Sequence, residues 1–176
     1  MKYKFPLKLC IILALLAAVS VVAKYFALPR EGIFRFSFEN TPIIFAGFAF
    51  GPIAGAVVGV IADLVGCIVS QYAPNLVVTL GAATLGAVSG LCSLFCKHMK
   101  ITGVIKTIVS VGLAHLFGSL IIKTAGISAL YDMPYAVVML WRMLNYLVLG
   151  IIDGLVIHLL LKNPAIAKQV KEINQA

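Results

Sequence analysis

The chain alternates long apolar runs with short polar breaks, and that alternation limits its fold more than any single motif. Five runs, at residues 7–26, 53–70, 75–96, 102–125 and 135–162, come close to the ~20 residues an α-helix needs to cross a bilayer. Hydrophobic residues make up 62% of the chain and charged residues only 11%, against roughly 25% charged in a soluble domain. Such a chain cannot wet a globular surface, so lipid must be most of its solvent. The runs are too long for strands and lack period-two alternation.

A further, shorter apolar segment at 41–51 begins at Thr41-Pro42, with proline in a permitted first-turn position, and is cut off by Gly51-Pro52. The predicted architecture is therefore all-α, an integral membrane bundle of six transmembrane helices forming a single domain over 1–176, with a polar tail at 163–176. The first run is longer than the apolar region of a signal peptide and continues into membrane-type sequence, so it reads as a retained helix.

Orientation follows from the cations. With six spans both termini share a side, which holds Lys2, Lys4, Lys8, Lys97, Lys100, Lys106, Lys162, Lys168 and Lys171. The other side holds Lys24, Arg30, Arg35, Lys123 and Arg142. The excess of lysine predicts that both termini are cytoplasmic. Every arginine falls on the outer side, and arginine's planar fork suits it to holding carboxylates.

Several features point to packing. Cys10, Cys67, Cys92 and Cys96 lie inside apolar segments and read as inert thiols. Gly47, Gly51, Gly55 and Gly59 recur every four residues, and Ala82, Gly86 and Gly90 form a similar face, which lets backbones approach closely. Ala14 and Ala18 form a small patch in a bulky first helix, equally suited to internal packing and to docking another membrane protein.

Ionisable groups inside spans are costly and mark pathways or ligands. Asp63, His115, Lys123, Arg142, Asn145, Asp153 and His158 lie within predicted spans, and Arg30, Arg35, Glu39, Asn40, Asn75 and Asp132 lie in the outer loops. Most converge on the outer half of the bundle, where excess cation suits an anion and Trp141 could cover a flat ring. The alternative is structural: Arg142 pairing with Asp132 or Glu39, Trp141 as an interfacial anchor, His115 and Asp153 as helix contacts. The chain has no phosphate loop of the G-x-x-x-x-G-K-[ST] type, and no H-E-x-x-H or G-x-S-x-G motif. Paired half-repeats are not evident either. These absences point to a binding subunit driven by another protein, with no catalysis and no cofactor.

The segment Phe34-Arg35-Phe36-Ser37-Phe38-Glu39-Asn40-Thr41-Pro42, then Ala46-Gly47-Phe48-Ala49-Phe50-Gly51-Pro52-Ile53-Ala54-Gly55, Val58-Gly59 and Asp63-Leu64-Val65-Gly66, resembles the substrate-binding components of energy-coupling-factor (ECF) transporters. Thr79-Leu80-Gly81-Ala82-Ala83 and the Arg142 to Asn145 pairing are most similar to the folate-specific subfamily. The resemblance implies a six-helix vitamin-binding subunit that docks on a transmembrane coupling protein carrying two cytoplasmic ATPases. It places the docking face at Ala14 and Ala18 and implies capture of the vitamin from outside. For folate, Arg30, Arg35, Lys123 or Arg142 would hold the glutamate carboxylates. Asn75, Asn145 or Asp63 would meet the pterin edge, and Trp141 would stack on it. Two other expectations stay open: a different vitamin or purine-like base on the same architecture, and a self-sufficient transporter.

Overall fold

The computed structural model describes residues 6–27, 37–71, 73–99, 101 and 103–175. Arg30 and Arg35 lie outside the described residues. Seven helices follow in order: α1 (Leu7–Tyr25), α2 (Asn40–Phe50), α3 (Pro52–Ser70), α4 (Leu76–His98), α5 (Gly103–Tyr131), α6 (Tyr135–Lys162) and α7 (Pro164–Gln175). No strand occurs among the described residues. Five of these helices are long and apolar enough to cross a membrane, and α2, at 11 residues, is not. At ~1.5 Å per residue it covers about half the ~30 Å hydrocarbon core.

The first six helices run up and down. The start of α1 and the end of α2 share one face of the bundle with α7, whose Asn174 Nδ2 donates to the Ala49 carbonyl at 2.9 Å. That terminal face lies opposite a far face, where Asn75 Nδ2 reaches the Gly126 carbonyl at 3.3 Å. Because α2 ends at the terminal face and is half a span long, its first residues lie near mid-depth.

Large apolar side chains such as Leu15, Ile68, Leu140 and Leu147 point outward, while Ser89, Thr107, Ser110, Thr124 and Asp153 are buried. This inversion follows from the solvent. Lipid is as apolar as leucine, so helices associate through close packing of small residues and inter-helix hydrogen bonds. The Gly47 row of α2 and α3 supplies the packing, since a Cβ on Gly55 would lie 2.5 Å from the Gly86 carbonyl oxygen. The bonds run alongside: Ser89 Oγ donates to Ile44 O at 2.8 Å and Ser93 Oγ to Phe48 O at 2.9 Å, tying α4 to α2. Gly51, at φ 98°, makes the turn between α2 and α3 that a side chain would strain.

The fifth helix departs from expectation. The sequence predicts its end near Ala125, with a loop from Gly126, but it continues to Tyr131. Gly126 is there for proximity, because a Cβ would meet Val78 Cγ2 of α4 at 2.9 Å. The helix ends instead at Asp132, which takes a left-handed conformation (φ 50°) two residues before Pro134. From His115 to Lys123 it is wound as a π-helix, a form rare in proteins and frequent at functional sites.

Candidate functional site

The segment before α2 is pinned deep in the bundle. Ser37 Oγ donates to the Ala23 carbonyl at 3.2 Å, and Ser20 Oγ to the Glu39 carbonyl at 2.6 Å. The N-terminus of α2, the positive end of its dipole, therefore opens inside the protein, where Thr41 N donates to the Phe38 carbonyl at 3.2 Å and Glu39 N to Ser37 Oγ at 3.2 Å. Around it lies a cleft lined by Lys24, Ser37, Glu39, Asn40, Asp63, Val78, Lys123, Ile127, Arg142, Asn145, Tyr146 and Leu149.

The charges in this cleft are paired in a set order. Lys24 Nζ donates to Asp63 Oδ1 at 2.6 Å, and reaches the Asp63 carbonyl and Cys67 Sγ at 3.3 Å each. Asp63 Oδ2 accepts from Thr79 Oγ1 at 2.7 Å, which brings in α4. Lys123 Nζ donates to Asn40 Oδ1 at 2.9 Å and lies 3.7 Å from Glu39 Oε1. Both carboxylates of the cleft are thus matched by a lysine.

Arg142 is the third cation, and its environment is different. Its side chain is buried, with the residue 5% exposed. Its Nη2 donates to the Tyr146 hydroxyl at 2.6 Å and to the Ser119 carbonyl at 3.3 Å. Nε has no hydrogen-bond partner among the described residues. Among the described residues no carboxylate lies within 4.0 Å of the guanidinium, so neither Asp132 nor Glu39 pairs with it. A buried guanidinium with no carboxylate partner and an unused donor among the described residues is a strong site for an anion.

Of the residues singled out in the sequence, Asp63, Lys123, Arg142 and Asn145 line this cleft. Two others lie elsewhere. Trp141 precedes Arg142 on α6 and so points ~100° away from it; it is 45% exposed and absent from the lining. Asn75 is the N-cap of α4: its Oδ1 accepts from the Val77 and Val78 backbone N–H groups at 2.9 and 3.3 Å, while Nδ2 holds Gly126. That amide is occupied by structural bonds.

Asn40 read in the sequence only as an outer-loop polar group, Glu39 as one that could pair with Arg142, and Lys24 only as an outer cation. For Lys24 a signal was available. A lone cation near the end of one apolar span and a lone acid inside another leave little choice but to find each other.

A family model described as the substrate-specific component of ECF transporters matches residues 8–161. The chain belongs to this family. The fold is also similar to a solved structure described as FolT bound with folic acid, with a TM-score of 0.70 at 20% identity over 86% of this chain and 91% of that one. At that identity the likeness concerns the fold. A comparison with curated proteins gives no match.

A substrate-specific component has to hold a small molecule, and the polar cleft is where this one offers buried donors and acceptors. Larger grooves, ≈ 580 Å³ between α5 and α6 and ≈ 540 Å³ between α1, α2, α6 and α7, are apolar and lie on the membrane-facing flanks. The cleft encloses only ≈ 80 Å³, whereas ligand pockets run from ~300 to 1,000 Å³. As it stands, the cleft is smaller than a vitamin-sized ligand.

Proposed function

We propose that this ECF substrate-specific component captures folate or a close folate derivative, and that its cleft is the binding site. The observation that carries the reading is Arg142, buried in the cleft with no carboxylate partner among the described residues. The likeness of its fold to a FolT structure bound with folic acid supports it. Folate brings two glutamate carboxylates, for which Arg142 is the first partner and Lys123 the second, released from Glu39 as the cleft opens. Asp63 and Asn145 offer the donors and acceptors a pterin edge requires. Arg30 and Arg35 complete the cationic set.

In this reading the chain is one membrane domain with no chemistry of its own. Both termini face the cytoplasm, in line with the lysines of the terminal face. A transmembrane coupling protein and two cytoplasmic ATPases supply the energy. The docking patch is Ala14 and Ala18, whose side chains are exposed on α1 and so take no part in packing inside the bundle.

Purified protein titrated with folic acid in a calorimeter tests the ligand. Binding, or a folate absorbance that co-purifies, is expected; no binding by protein that is folded and ligand-free refutes the assignment. Reconstitution in liposomes tests the mechanism. Uptake should require the coupling protein, the ATPases and ATP, and uptake by the chain alone would make it a self-sufficient transporter.

A further inference from the structure

Beneath the cleft, on the side of the terminal face, lies a second buried polar group that ligand capture does not use directly. His115 of α5 is 4% exposed, and its Nε2 lies 2.8 Å from Asp153 Oδ2 of α6. Asp153 Oδ1 in turn accepts from the Thr41 hydroxyl of α2. Three helices meet at this carboxylate. A buried carboxylate satisfied from two sides is a rigid anchor, because displacing either partner leaves charge unsolvated in an apolar surround.

The imidazole held there stacks with Tyr146, ring centroids 5.2 Å apart and planes tilted by 33°. The Tyr146 ring lies 4.9 Å from the Arg142 guanidinium carbon, and its hydroxyl accepts from Arg142 Nη2. The chain of contacts is thus Thr41, Asp153, His115, Tyr146, Arg142. It begins beside Asn40, which accepts from Lys123, and ends at the guanidinium. His115 and Lys123 are also the two ends of the π-wound segment of α5, and Ser119 within it provides the other acceptor for Arg142.

We infer that His115, anchored by Asp153, is a positioning residue: through the Tyr146 ring it holds the Arg142 guanidinium in the orientation that receives a ligand carboxylate. His115 does not line the cleft and acts only through its neighbours. An arginine has a long side chain with many rotamers. One held in place before the ligand arrives loses less entropy on forming a bidentate pair. The inference rests on the proposal that Arg142 takes the anionic end of the ligand, and it makes His115 a determinant of preference for anionic over neutral ligands.

The test compares folic acid with 6-methylpterin, which has no carboxylate, by calorimetry. His115→Leu should weaken folic acid about tenfold, the scale of one hydrogen bond to a charged group, and leave 6-methylpterin within about twofold. His115→Phe keeps a ring against Tyr146 but loses the Asp153 anchor, and should recover only a minor part of the loss. In an Arg142→Ala background, His115→Leu should have no further effect. Equal losses for both ligands, or additive losses with Arg142→Ala, would overturn the inference. If His115→Leu does not fold, the near-isosteric Asp153→Asn takes its place with the same expectations.

Should the wild type bind no folic acid, the folate reading fails separately. The positioning role is then read from ligand-free protein by 15N-histidine spectra. Arg142→Ala should shift the His115 imidazole signals, and unmoved signals would refute the coupling.

Discussion

Lys24 and Asp63 meet 2.6 Å apart between α1 and α3, with side chains only 7% and 4% exposed. Thr79 of α4 closes the same carboxylate from the other side, so one acid ties three helices together. Removing one partner of such a pair leaves a buried charge unmatched, at a cost of about 3 kcal/mol or more. Lys24→Ala should therefore lower the melting temperature in detergent sharply. The double change Lys24→Met with Asp63→Leu should recover much of it, because the burden is the orphaned charge rather than the lost attraction. A single variant as stable as the parent would show that the pair is dispensable.

Two glycines, Gly55 in the α2–α3 row and Gly112 of α5, predict different outcomes on substitution. A Cβ on Gly55 would press on the Gly86 carbonyl, whereas one on Gly112 would meet nothing within 4 Å. Gly55→Ala should cost about 2 kcal/mol through forced separation of α3 and α4. Gly112→Ala should be neutral, or stabilise by up to ~1 kcal/mol through helix propensity. Thermal denaturation of the two variants side by side decides this.

Arg142→Ala should weaken binding of an anionic vitamin by ~2 kcal/mol or more, read by calorimetry. Arg142→Lys should restore little of this. An ammonium keeps the charge but loses the planar fork that spans Tyr146, Ser119 and a ligand carboxylate. Full rescue by lysine would mean that charge alone matters there.

Replacing Ala14 and Ala18 together by leucine should abolish assembly with the coupling protein, seen as loss of co-purification, and leave vitamin affinity unchanged. The patch lies on the exposed face of α1, away from the cleft. A variant that still assembles and supports uptake would place the docking face elsewhere.

Much of the fold was legible because its causes are local. Length and hydropathy mark a span wherever it falls, and Gly51-Pro52 marks the break between α2 and α3. The end of α5 was misread because Gly126 looks the same in sequence whether it breaks a helix or lets α4 approach. The site was legible by residue type and less so by arrangement. Asp63, Lys123, Arg142 and Asn145 stood out as polar groups in apolar runs, and they do line the cleft. Trp141 lies one position before Arg142 on α6, enough to turn it to another side of the helix and away from the cleft lining. Asn75 was read as an outer-loop ligand group, but its amide caps α4 and holds Gly126.

The sequence by itself determined the solvent, the succession of helices and the family, since apolar runs and short motifs are properties of neighbouring residues. Only the tertiary structure decided which polar groups meet. Lys123 finds Asn40 across 83 positions, and Thr41 finds Asp153 across 112. It also left Arg142 without a carboxylate among the described residues while Glu39 went to Lys123. These pairings depend on the rotation and depth of each helix. Close contacts between small residues set both, and no run of adjacent residues records them.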